Sequence, residues 1–267
     1  MHEFMKIIRL IVLLLTVTLF GGCTDENGAF NVFDVQEDAD LGKQFNEQIL
    51  ADPGQYPILD RKENGELYSD IDGLVKEILS SKAIQHRNDF KWEVFIIEND
   101  TILNAFATPG GYVYVYTGLI KYLDSKDQLA GVLGHEIAHA DLRHSTEQLT
   151  KSYGLGLIIK FFFGDNGTLA NMAGSLVGLQ FSREDETEAD MQSVVYLYDT
   201  KYDPRGVARF FEKMEAQGET LGPLVFLSTH PNPENRVDKI MLKWKELGAK
   251  KGVSDKEGYA EIKKLLK

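Results

Sequence analysis

The chain has 267 residues with 41 acidic and 29 basic side chains, a net charge of −12, and a single cysteine. The acidic excess excludes a polyanion binder, because nucleic-acid affinity comes from Lys and Arg neutralising phosphates. One thiol excludes an intramolecular disulfide framework and a thiolate-rich metal cluster, so any metal must be held by His and carboxylate; with 43% hydrophobic residues and seven prolines the composition is that of one globular domain.

The first 23 residues form a short cationic start, an apolar run from Leu10 to Phe20 and Gly21-Gly22 before Cys23, which is an export pattern. The run is too short for the ~20 residues of a spanning helix. It resembles a bacterial lipoprotein signal, which implies cleavage after residue 22 and a lipid on Cys23; the plain alternative is a free thiol. Thr24 follows the cysteine where Asp would mark inner-membrane retention in enterobacterial lipoproteins, which favours the outer membrane. The expected organisation is a signal peptide (1–22), a lipidated polar tether (23–37), a main globular domain (38–247) and a C-terminal helical tail (248–267).

In chain order, Leu41, Phe45, Ile49 and Leu50 recur at helical spacing and predict a helix over Ala39 to Ala51, stopped by Asp52-Pro53-Gly54. Ile71, Leu74, Val75, Ile78 and Leu79 predict a second helix from Tyr68 to Ile84. Trp92 to Ile97 and Gly111 to Thr117 read as strands, the latter from the alternation of Tyr112, Tyr114 and Tyr116 with Val113 and Val115 after a turn at Pro109-Gly110-Gly111. Ser125 to Gln128 has the form of a capping box opening a long helix through Leu142. Leu155 to Phe163 is strongly apolar, either core or a surface that meets membrane or substrate. A helix begins at Ser182, and another is expected near Pro233. The fold class is α+β, dominated by helices with a small sheet.

The long helix carries His135-Glu136-Ile137-Ala138-His139. Residues four apart on a helix share a face, so both imidazoles reach one ion. Neutral imidazole suits zinc, and the adjacent Glu136 is placed to take the proton of an attacking water. The metzincin pattern is excluded, because Leu142 and Ser145 stand where it needs Gly and His. Farther on, Glu186 and Asp190 lie one turn apart in an acidic helix start; one can ligate while the other receives a hydrogen bond from a ligand histidine. Taken alone, such a cluster also fits a solvated helix N-terminus.

These stretches, with Asn104-Ala105-Phe106-Ala107, Pro109-Gly110-Gly111, Thr117-Gly118-Leu119-Ile120, Arg143-His144 and Ser228-Thr229-His230-Pro231 through Arg236, resemble peptidase family M48, which includes HtpX, the CAAX prenyl protease, the Oma-type protease and the BepA-like and LoiP-like lipoproteins. The resemblance covers roughly Asp38 to Leu247 and implies a zincin-type fold with one zinc on His135, His139 and Glu186, Glu136 as general base and Asp190 behind a ligand histidine. It implies that an edge strand at Asn104, Ala105, Phe106 and Ala107 lines the cleft and pairs with an extended polypeptide. His230 would donate to the oxyanion or, as in BepA-like relatives, approach the metal and hold the enzyme latent; a third reading has Thr229 and His230 capping the helix near Pro233. Arg236 would anchor the cleft carboxylates or be a surface charge, and His144 has only a structural role. The chain ends about twenty residues past the last motif helix, without the tetratricopeptide tail of BepA-like members, as in the short LoiP-like lipoproteins.

The expected function is a zinc endopeptidase anchored to the envelope membrane through Cys23, facing the periplasm and cutting unfolded or misassembled proteins. The alternatives are an inactive or latent metal-binding chaperone for envelope proteins, and a soluble hydrolase of a non-peptide amide.

Overall fold

The computed structural model describes residues 31–152, 178–217, 225–231 and 235–266. The signal sequence, Cys23 and the apolar stretch Leu155 to Phe163 lie outside them.

The first helix, α1 (Val35–Leu50), begins earlier than its apolar spacing predicts. Asp34 accepts from the Glu37 N–H while the Glu37 side chain accepts from the Asp34 N–H, a reciprocal cap that four residues of supposed tether conceal. The stretch is no free tether at its end, since Phe33 and Asn31 are buried. Helix α2 (Gly65–Ile78) stops short of Ile84, because Asp199 captures Ser81 Oγ and the Lys82 N–H and turns the chain there.

The sheet has strands β1 (Glu93–Ile97), β2 (Ala105–Thr108) and β3 (Tyr112–Tyr116) in the order β1-β3-β2. The outer pairings differ in sense: β1 runs parallel to β3 and β2 antiparallel to it, Ala105 facing Val115 and Ala107 facing Val113. Between β2 and β3, Gly110 and Gly111 take positive φ of 74° and 87°, which glycine alone adopts without strain. Alternation sorts the faces of β3. Tyr112, Tyr114 and Tyr116 pack with Phe95, Phe106 and Ile49 beneath α1, and Tyr114 Oη donates to Asn46 Oδ1 at 2.7 Å. Val113 and Val115 face the main core.

After α3 (Thr117–Tyr122) comes α4 (Lys126–Asp141), on which every side chain from Asp127 to Asp141 is buried. The expected capping box does not form; Ser125 makes no side-chain cap, and Gln128 Oε1 accepts from the Asp124 N–H instead. Helix α4 is the axis of the molecule, packed between the sheet and the helices α5 (Arg183–Tyr198) and α6 (Gly206–Gln217). Glycine sets the closest approach: a Cβ on Gly131 would lie 2.2 Å from Val207 N, and one on Gly206 would lie 1.8 Å from Asp127 O. Helix α5 is capped by Ser182 and Asp185, which satisfy each other's backbone N–H groups.

Three short helices follow: α7 (Val225–Thr229), α8 (Arg236–Glu246) and α9 (Lys256–Lys264). Helix α8 begins at Arg236 after a left-handed Asn235, so Thr229 and His230 do not cap it. The segment read as a tail packs into the same core: Tyr259 is fully buried and its hydroxyl donates to Ile120 O at 2.7 Å. No helix among the described residues is long and apolar enough to cross a membrane.

Candidate metal centre

Helix α4 delivers His135 and His139 from one face, α5 delivers Glu186 from its first turns, and the residue after α7 delivers His230. One donor atom from each lies within 4.8 Å of every other. All four side chains are buried, which is unusual for such polar groups and demands a partner.

The separations test whether a metal fits. His135 Nε2 is 3.0 Å from His139 Nε2 and 3.3 Å from His230 Nδ1. Glu186 Oε1 is 3.3 Å from His139 Nε2 and 2.9 Å from His230 Nδ1, and its Oε2 is 3.5 Å from His135 Nε2. A tetrahedron with metal–ligand bonds of roughly 2.0 Å has edges of about 3.3 Å, which these values bracket. His135 also has an Nδ1 partner, Asp190 Oδ1 at 3.0 Å. The contact is at ion-pair distance but lacks hydrogen-bond geometry, so Asp190 stands behind the ring as a neighbouring carboxylate. Three imidazoles and a carboxylate, converging with lone pairs inward, form a donor set for a divalent cation such as zinc.

Electrostatics suit ligation at His139 and Glu186 but favour the protonated ring at His230. Burial pushes the His139 imidazole well below its ordinary value, keeping it neutral as ligation requires. Burial pushes Glu186 up, but His230 and the hydrogen bonds from His139 and His230 outweigh it and hold the carboxyl well below the usual range. For His230 burial acts downward, yet Glu136 and Glu186 outweigh it and raise the imidazole.

Glu136 stands beside the cluster, with Oε1 3.6 Å from His230 Nε2. Both of its carboxyl oxygens are buried without a hydrogen-bond partner among the described residues. Burial raises its pKa, although His230 and His135 pull against it. A buried carboxyl whose pKa is raised above its ordinary value is a stronger proton acceptor once ionised, the property a general base needs. Arg236 proves to be an internal anchor, donating to Asp190 at 2.6 and 2.8 Å and to Glu186 at 2.9 Å while lying over Phe211, 3.7 Å from the ring centroid.

Asn104, Ala105, Phe106 and Ala107 reach the outer edge of the sheet, with Asn104 just before β2 and α4 against that strand. Asn104 Oδ1 is a buried acceptor without a donor among the described residues. Two aromatic rings stack on imidazoles of the cluster. Phe181 stacks on His139 with centroids 3.9 Å apart, and Phe226 stacks on His230 at 4.5 Å.

Two features escape sequence reasoning. Phe181 belongs to no chemical motif, and its burial against His139 becomes visible only in three dimensions. His144, given a merely structural role, places Nδ1 2.9 Å from His139 Nδ1; its proximity in sequence to His139 was the available signal, but five residues on a continuous helix would point elsewhere.

The family model of peptidase family M48 matches residues 64–242. The mitochondrial metalloendopeptidase OMA1 of Schizosaccharomyces pombe is 33% identical over 178 residues, covering 65% of this chain and 52% of that protein. OMA1 of Arabidopsis thaliana is 34% identical over 164 residues, covering 60% of this chain and 33% of its own length. The beta-barrel assembly-enhancing protease of Escherichia coli K12 is 33% identical over 176 residues, covering 60% of this chain and 36% of that protein. The chain thus spans between about a third and a half of the length of these relatives.

Proposed function

Because this chain belongs to peptidase family M48, we propose that it is a zinc endopeptidase of the bacterial cell envelope, tethered through lipid on Cys23 and cutting unfolded or misassembled polypeptides. The observation that carries the reading is the four-donor cluster with Glu136 beside it.

His135, His139 and Glu186 would hold the ion, which when bound supplies a Lewis acid that polarises the scissile carbonyl and acidifies water. Glu136 accepts the proton of the attacking water and passes it to the leaving amine. Asp190 lies 3.0 Å behind His135 Nδ1 and would take its proton when the ion is bound, and Arg236 holds Asp190 and Glu186 in place. Extended substrate pairs with β2, where Asn104 Oδ1 offers a buried acceptor. Pairing by backbone requires an extended chain, so folded proteins resist cleavage.

His230 lies at ligand distance from both Glu186 and His135, which favours its role as a fourth ligand in this conformation over that of oxyanion donor. A catalytic zinc site keeps one coordination position open. On this reading the enzyme is held latent, and His230 would leave before substrate enters.

The test is cleavage of unfolded casein by the protein lacking its signal, wild type beside Glu136→Gln and His230→Ala, with bound zinc quantified. Wild type and Glu136→Gln each holding zinc while only wild type cuts supports the enzyme, and a gain of rate in His230→Ala supports latency. Zinc bound with no cutting by wild type or His230→Ala would overturn the peptidase in favour of a metal-binding chaperone. Palmitate labelling abolished by Cys23→Ala tests the anchor, and a Cys23→Ala protein that stays on the membrane refutes it.

A further inference from the structure

The two histidines of α4 are supported differently from behind. His135 Nδ1 meets a carboxylate, Asp190, whereas His139 Nδ1 meets another imidazole, His144 Nδ1 at 2.9 Å. His144 is buried, and its far nitrogen Nε2 lies 3.5 Å from Oε2 of Glu188, a half-exposed side chain on α5.

The backbone is bent to make this contact. On a continuous helix, residues five apart are turned about 140° from one another, so His144 would face away from His139. Helix α4 ends at Asp141, Arg143 takes a left-handed φ of 63°, and the chain resumes helically over 144–152. A non-glycine residue in that conformation is strained and persists only where its surroundings impose it. Here Asp38 of α1 accepts from Arg143 Nε at 2.7 Å, and the carbonyl of Phe33 accepts from its Nη2. The N-terminal helix pins the kink that swings His144 back.

We propose that His144 is a positioning residue for the metal centre, fixing His139 in the tautomer that ligates, with Glu188 fixing His144 in turn. The proposal rests on the reading of His139 as a zinc ligand. One proton occupies the space between the two Nδ1 atoms. If it belongs to His139, that ring's Nε2 is bare and turned to the other donors, 3.0 Å from His135 Nε2. If it belongs to His144, neutral His139 carries its proton on Nε2 and cannot ligate. Accepting at Nδ1 puts the proton of neutral His144 on Nε2, where Glu188 receives it. The orienting group behind His139 is thus an imidazole and carboxylate in series, the second reaching the surface.

The experiment measures zinc affinity by chelator competition for wild type, His144→Ala and His144→Asn, with circular dichroism to confirm folding. Asn Oδ1 occupies the place of the histidine Nδ1 acceptor. His144→Ala is expected to bind zinc roughly 10–100-fold more weakly, and His144→Asn to stay within about threefold of wild type. A folded His144→Ala protein of unchanged affinity overturns the proposal, as does Asn failing as badly as Ala. Nitrogen-15 spectra of histidine in the zinc-loaded wild type give a readout that needs no variant. The expected pattern is a proton on Nδ1 of His139 and on Nε2 of His144, and a proton on Nδ1 of His144 refutes the assignment. A wild type that binds no zinc overturns the metal centre itself, which the other failures leave standing.

Discussion

Arg236 offers the sharpest test of the buried charge arrangement. Its guanidinium makes three charge-assisted hydrogen bonds of 2.6 to 2.9 Å to Asp190 and Glu186, and the three side chains are 1%, 3% and 0% exposed. Burial decides the magnitude. An exposed ion pair contributes about 0–1 kcal/mol, but removing one partner of a buried pair strands the other and costs about 3–5 kcal/mol. Arg236→Met keeps most of the side-chain volume over Phe211 while deleting the charge, so that cost is expected in the metal-free protein. In a domain of this size it lowers the melting temperature by roughly 6–20 °C. Urea denaturation of metal-free wild type, Arg236→Met and Arg236→Met/Asp190→Asn measures it. The double variant should recover part of the loss, since one stranded carboxylate is neutralised while an acceptor for His135 remains. An Arg236→Met protein within about 1 kcal/mol of wild type would refute the reasoning.

A Cβ on Gly131 would stand 2.2 Å from Val207 N, whereas one on Gly73 meets nothing within 4 Å. Gly131→Ala should cost at least about 1–3 kcal/mol and Gly73→Ala should stabilise by roughly 0.5–1 kcal/mol, both read from urea midpoints; equal effects would discount the helix contact. Burial pushes Asp203 up, but Arg205 and Arg209 outweigh it and its carboxyl is held below the unfolded value of 3.8. Its contribution is full above that value and is lost as pH falls through the lower folded one, so Asp203→Asn should flatten the acid limb of stability below about pH 4; an unchanged slope counts against the pairing. In Glu136→Gln, an extended peptide that protects the amides of β2 from hydrogen exchange should also deprotect the Phe226 amide. Protection of β2 with Phe226 unmoved would separate the two.

The catalytic helix was legible because its information is local: two histidines one turn apart must share a face, and Glu186 and Asp190 are spaced the same way. Strand β3 announced itself through Tyr112, Tyr114 and Tyr116. What the sequence hid was tertiary. The start of α1 lay in polar residues, Asp34 and Glu37, that cap each other and look like tether. The end of α2 was decided by Asp199, more than a hundred residues away. Ser125 fits a capping pattern but forms no cap, because Gln128 reaches the Asp124 N–H instead. His144 lies past the helix end expected at Leu142, and the turn that brings it back to His139 depends on contacts of Arg143 with Asp38 and Phe33 that are remote in sequence.

The same short segment that carries His230 also rests on the chain entering β2. The Phe226 N–H donates to Leu103 O at 3.2 Å, one residue before Asn104, while the Phe226 ring stacks on His230. The His230 N–H in turn donates to Phe226 O at 2.8 Å, joining the two residues in one turn of helix. A rigid displacement of α7 that withdrew the imidazole from Glu186 and His135 would therefore take Phe226 N from Leu103 O. It would free a backbone acceptor beside the sheet edge and open a position at the metal in the same motion. Substrate that pairs along that edge would compete with α7 for Leu103, and its binding energy would then favour the open state. If His230 holds the site latent as proposed, occupying the strand and releasing His230 would be coupled in one equilibrium.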